Sequence, residues 1–259
     1  MEFDRRKFIA YLGGIAAFSS MPLEALSDEA EEFAMLEAVE DPCVSFLGGK
    51  NPDVRNGAGI LFDKRSFKDL TPISDKPTLL EIIKYRSAES VRLHCLRSAH
   101  HAMKTNQEEP IILACLLHDL SINLMWSDHA FWGADLVAPY VDEKITWGIK
   151  YHQACRFYKD EEYGYEIPEL YKCLFNNPLQ IEPHIERAYK FSKNHEWYKY
   201  ARLITVNDIY AFDKNVNPNI EDFVPIIERH FKQPAEGLGN DDSPSAHMWR
   251  TLIKPDRVL

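Results

Sequence analysis

The chain has 259 residues, 45% of them hydrophobic, enough for one generous domain with a sizeable buried core. Its 40 acidic residues against 30 basic ones leave a net charge of −10. That balance excludes a basic nucleic-acid-binding face, and any anion the protein handles must meet positive charge gathered locally.

Residues 1–27, MEFDRRKFIAYLGGIAAFSSMPLEALS, read as a targeting segment, with Arg5–Arg6, then Phe8–Ile9, then a short apolar run holding Gly13 and Gly14. This order resembles a twin-arginine signal, with a candidate cleavage point before Asp28, and points to the periplasm. The alternative is an amphipathic N-terminal helix on a cytoplasmic protein. The run falls short of the roughly 20 apolar residues of a stable membrane span. Five cysteines, Cys43, Cys95, Cys115, Cys155 and Cys173, form no CxxC and suggest no disulfide framework. That fits an oxidising compartment poorly, so both locations stay open.

Residues 28–41 read as an acidic helix, and the breakers in 42–76 (Pro42, Gly48, Gly49, Pro52, Gly57, Gly59, Pro72) as a loop-rich extension that packs on the domain or, alternatively, forms a lid over the site. The helical domain is expected over 77–231. TLLEIIKYR opens it, and Ser87 is the expected N-cap of AESVRLHCLRSAHHAMKT, where His94, Arg97 and His101 share a face. His101 is expected mainly toward solvent. Pro110 opens IILACLLHDL, whose apolar run ends in His118–Asp119. A helix over about 126–139 carries His129, and VDEKITWGIKYHQACRFY carries His152 and Arg156 one turn apart. After a polar, aromatic excursion over 159–180 come EPHIERAYKFSK, WYKYARLITVNDIYAF with Arg202, Thr205 and Asp208, and PNIEDFVPIIERHF. The tail, 232–259, is expected to be mostly irregular, with Met248, Trp249 and Leu252 docking back. The fold class is an all-α helical bundle.

His94, His118, Asp119, His129, His152 and Asp208 each lie in or beside an apolar run. Ionisable groups there are costly unless ligated or paired. Four imidazoles and two carboxylates suit iron, manganese or zinc better than calcium or magnesium. The absence of cysteine argues against a structural zinc site. Asp119 could bridge two ions, which would then sit roughly 3.5–4 Å apart. The plainer alternative is a helical core that happens to hold histidines, since His100, His101, His184, His195, His230 and His247 show free use of that residue. Arg156 and Arg202 suit a phosphate, phosphonate or carboxylate, or else salt bridges to neighbouring carboxylates.

The order H…HD…H…H…D resembles the HD-domain superfamily of metal-dependent phosphohydrolases. A closer likeness is to its mixed-valent di-iron oxygenases, the phosphonate-cleaving enzymes related to inositol oxygenase. HCLRSA (94–99) looks like their first-ligand helix, HAFWGADLV (129–137) like their H-E-x-x-G-A segment, and HQACRFY (152–158) like their H-x-x-A/C-K-R-Y. The resemblance covers about residues 77–231. It departs at Ile122, where those oxygenases often carry a histidine, and at Arg156, where they carry lysine. The segment between Asp119 and His129 is also shorter. Tyr85 and Glu89 stand nearest to the tyrosine and glutamate that gate the open iron position, at a different spacing to His94.

The resemblance implies two irons of mixed valence. His94, His118, Asp119 and Asp208 would hold one, and Asp119, His129 and His152 the other. It also implies O₂ as partner and oxidative cleavage of a small, polar, anionic molecule such as a hydroxy-phosphonate or polyol. Asp119, Arg156, Tyr85 and Glu89 would form the catalytic set, with Arg156 and Arg202 toward the substrate. The same ligands with manganese, zinc or magnesium would suit a phosphohydrolase acting on a nucleotide or other phosphate ester. Arg156 would then stabilise phosphoryl charge. A non-catalytic binding module is the third reading.

Overall fold

The computed structural model describes residues 70–125, 128–168, 181–212 and 215–255. The targeting segment read at 1–27 and the extension up to residue 69 lie outside the described residues. The helices are α1 (Leu79–Arg86), α2 (Glu89–Lys104), α3 (Glu109–Leu117), α4 (His129–Val137), α5 (Glu143–Cys155), α6 (Pro183–Lys193), α7 (Tyr198–Ile209), α8 (Val224–His230) and α9 (Ala246–Ile253). Short 3-10 turns occupy Leu120–Asn123, Tyr210–Phe212 and Ile220–Phe223. Among the described residues no strand forms; an isolated bridge joins Asp160 to Tyr165. The fold is an all-α bundle.

α3 is its axis. Every residue from Ile111 to Leu117 is apolar and buried, so the helix has no face to give to water and must be surrounded. α2, α5 and α7 surround it, and α4 packs along α5. The α5–α7 contact depends on Gly148. A Cβ added there would stand 3.0 Å from Tyr200 Cβ and 3.3 Å from Ile204 Cδ1. Pro110 sits in the first turn of α3, where a missing N–H costs nothing.

Three boundaries differ from expectation. Thr78 caps α1 through a reciprocal box with Glu81: Thr78 Oγ1 accepts from Glu81 N at 3.2 Å, and Glu81 Oε2 accepts from Thr78 N at 2.9 Å. Ser87, expected to cap α2, instead closes α1 in extended backbone; the first bond of α2 runs from Arg92 N to Ala88 O, one residue later. α4 begins at His129 rather than near 126, because Asp128 is left-handed (φ 56°) and cannot belong to a right-handed helix. Over its described residues the tail is mostly irregular, as expected, and docks back through one helix. α9 places Trp249, Leu252 and Ile253 at i, i+3 and i+4 and buries all three. It is fastened to α4: Trp249 Nε1 and Ser245 Oγ donate to Leu136 O at 3.0 and 2.9 Å. Leu238 N donates to Pro77 O at 2.8 Å, tying the tail to the start of α1 as well. Among the described residues no helix is long and apolar enough to cross a membrane.

Candidate metal centre

The apolar run of α3 ends where its chemistry starts. His118 is the C-cap residue, and Asp119 (φ −106°) turns the chain into the 3-10 segment. α4 leans on this turn: Ser121 Oγ donates to His129 O at 2.7 Å. An added Cβ at Gly133 would lie 3.2 Å from Ser121 Oγ and 3.3 Å from His118 O. α5 is fixed to α7 beside its ligand turn, with Thr205 Oγ1 donating to His152 O at 2.9 Å.

Six side chains named from the sequence converge here: His94 from α2, His118 and Asp119 from the end of α3, His129 from α4, His152 from α5 and Asp208 from α7. The two oxygens of Asp119 divide the histidines. Oδ2 lies 3.6 Å from His94 Nε2 and 3.3 Å from His118 Nε2. Oδ1 lies 3.2 Å from His129 Nε2 and 3.8 Å from His152 Nε2. Asp208 Oδ1 joins the first pair, 2.7 Å from His94 Nε2 and 3.6 Å from His118 Nε2.

The tautomers decide what these distances mean. A backbone carbonyl only accepts, so His118 Nδ1–H must donate to Cys115 O at 2.8 Å and His152 Nδ1–H to Ile149 O at 2.6 Å. In the neutral rings Nε2 then presents a lone pair to a carboxylate. His118 Nε2, 3.3 Å from Asp119 Oδ2, is enclosed and has no hydrogen-bond partner, and Asp119 Oδ1 has none either. A neutral imidazole lone pair facing a carboxylate oxygen in a buried space repels it unless a proton or a metal ion stands between them. The donor set therefore fits a metal. His94, His118 and Asp208, and likewise His118, Asp119 and His152, bring ligand atoms within 4.8 Å of one another and can hold an ion.

The charge state agrees. Burial opposes ionisation of Asp119 and Asp208. His118 and His129 beside the first, and Arg156 beside the second, nonetheless hold both well below the usual carboxylate range. Burial also opposes charge on His118, yet the Asp119 carboxylate draws its pKa well above the ordinary imidazole value. His152 is pushed well below, by burial and then by Arg156, and offers a neutral donor. The buried carboxylates thus attract positive charge, which a proton or a metal ion can supply.

The side chains of His94, Arg156, His129 and Asp119 are 16%, 11%, 8% and 7% exposed, while His118, His152 and Asp208 are at or below 1%. Arg156 Nη2 lies 3.0 Å from Asp208 Oδ2.

Arg202 is placed elsewhere. It is fully buried and turned to Asp160: Nε lies 3.3 Å from Asp160 Oδ2 and donates to Tyr198 OH at 2.9 Å, while Nη1 and Nη2 donate to Cys155 O and Tyr158 O at 3.1 and 3.0 Å. Its guanidinium, stacked over the Tyr165 ring, cannot also clamp a substrate. Tyr85 and Glu89 lie at the surface, Tyr85 42% exposed and Glu89 with a side chain 78% exposed opposite Arg92. Surface places do not suit gating of a buried centre. His101 is half-buried rather than turned to solvent. Its Nδ1–H donates to Asn207 Oδ1 at 2.7 Å, and its ring stacks on Tyr210 at 3.7 Å. Asn207 went unread in the sequence; its only signal was a buried amide next to Asp208.

No family model matches the chain, and a search of curated proteins finds no match to it.

Proposed function

We propose that the chain is a two-metal oxidoreductase of the HD-domain type it resembles, with iron as its working metal, oxidising a small polar anion with O₂. The observation that carries this reading is the division of Asp119. One carboxylate turns its two oxygens to two pairs of imidazole nitrogens, as a ligand shared by two ions would. Iron bound there would supply the O₂ chemistry.

The chain's own residues do the rest. His118 and His152, with Nδ1–H tied to the backbone, keep Nε2 lone pairs aimed inward without rotation. α3 and the buried His118, His152 and Asp208 exclude water on their side of the cluster. The Arg156 guanidinium, beside both carboxylates, would face the anionic end of a substrate held by the metals.

The test is metal content and Mössbauer spectra of protein purified without added metal, followed by O₂ uptake with hydroxy-phosphonates and polyols. About two irons per chain and substrate-dependent O₂ uptake are expected. Manganese, zinc or magnesium with phosphate release from nucleotides or sugar phosphates, and no O₂ uptake, would replace this reading with the phosphohydrolase.

A further inference from the structure

The two halves of the cluster share Asp119 but differ in charge. At the His94–His118 half two carboxylate oxygens converge, Asp119 Oδ2 and Asp208 Oδ1. At the His129–His152 half the carboxylate oxygen is Asp119 Oδ1. The other oxygen of Asp208 is held by Arg156 Nη2 at 3.0 Å. The same nitrogen lies 3.5 Å from His152 Nε2 and 4.0 Å from Asp119 Oδ1, the donor atoms an ion in this half would use.

We propose that Arg156 divides the cluster into a tight and a weak metal place. By holding Asp208 Oδ2 and lying against the His152 donor atom, it weakens cation binding at the His129–His152 half, so that ions load in order, the His94–His118 half first. This rests on the two-metal reading above and gives it a sequence of assembly.

The magnitude follows from distance. Metal ligands of these types sit about 2.0–2.2 Å from their ion. An ion on His152 Nε2 would therefore be no more than about 6 Å from Arg156 Nη2. Even at the dielectric of bulk water, a dication and a unit charge about 6 Å apart repel by roughly a factor of ten in affinity, and more in a buried site. At the tight half two anionic oxygens offset that repulsion. Arg156 also orients Asp208: with Oδ2 engaged, Oδ1 is the oxygen left facing His94 and His118. Removing the guanidinium should thus tighten the His129–His152 half without tightening the other, whereas loss of a merely structural residue would weaken both.

The experiment titrates Mn²⁺ into the chelator-treated full-length chain, with free Mn²⁺ followed by electron paramagnetic resonance. The parent should show two classes of binding, the weaker abolished in His129→Ala. In Arg156→Gln, and in Arg156→Met should the first variant fold poorly, the weaker class is expected to tighten about tenfold or more while the tighter class holds or loosens. Arg156→Lys, which keeps the charge, should leave the weaker class weak. A weaker class that stays put or loosens in both neutral variants overturns the proposal, as does tightening in Arg156→Lys equal to that in Arg156→Gln. Failure of the two-metal reading would show in the parent alone, as one ion or none per chain.

Discussion

Two buried charge clusters share α7, one around Asp160 in the loop after α5 and one around Asp119 at the end of α3, and they are built on opposite principles. Around Asp160, every partner is complementary. Oδ2 accepts from Lys193 Nζ at 2.8 Å and from the Tyr198 hydroxyl, with Arg202 Nε at 3.3 Å, and the remaining guanidinium donors end on backbone carbonyls. Around Asp119, a neutral His118 would turn its Nε2 lone pair on a carboxylate oxygen 3.3 Å away, and Nε2 of His118 and Oδ1 of Asp119 have no hydrogen-bond partner. The first cluster is complete as protein and holds the 159–165 loop to the bundle. The second leaves buried acceptors that a proton or a metal ion could satisfy. Burial and charge count alone would have ranked them alike; what separates a structural network from a site is whether donors and acceptors close on each other.

That contrast can be broken most sharply at Asp160. Asp160→Ala leaves Arg202 buried without its counter-ion and should cost about 3–5 kcal/mol in denaturant unfolding. Its pH dependence has a definite sign. Burial opposes the charge, but Lys193, Tyr198 and Arg202 hold the Asp160 pKa below its ordinary value. Its contribution is therefore present above the unfolded carboxylate value, about 3.9, and is lost as pH falls through the lower folded value. The gap between the parent and Asp160→Asn should narrow as the pH is lowered from about 5.

Asp119→Ala should behave in the opposite way. It should remove bound metal by elemental analysis, and with it the roughly 2.7 kcal/mol that an ion at 100 times its dissociation constant confers. In chelator, thermal unfolding should place the variant within about 1 kcal/mol of the parent, since an unsatisfied buried carboxylate has gone. A chelator-treated Asp119→Ala as unstable as Asp160→Ala would erase the distinction. The smallest effect is expected at Ser245→Ala. It loses one hydrogen bond to Leu136 O while Trp249 keeps its own, costing about 1 kcal/mol in thermal unfolding.

The open cluster was more legible in the sequence than the closed one. Its residues end or interrupt apolar helical runs, so LACLLHDL and LITVNDIYAF mark themselves as places where a charge must be answered. The Asp160 network carries no such mark: Asp160 sits in a polar loop, 42 residues before Arg202, and its partners Lys193, Tyr198 and Arg202 reach it only through tertiary folding. Arg202 read as a substrate clamp for that reason. Helix identities followed from apolar periodicity, while boundaries such as Ala88 and His129 depended on single backbone angles. Tyr85 and Glu89 were chosen by nearness along the chain, which says nothing about the direction in which a helix end points.

The grip of α9 on α4 has a bearing on how the protein is made. Trp249 and Leu136 are separated by 113 residues, and their bond fastens the end of the helix that begins with His129. During synthesis α2, α3, α5 and α7 can all emerge and pack before Trp249 exists. The part of the cluster they carry is thus available to the nascent chain, whereas the fastening behind His129 waits until residue 249 has left the ribosome.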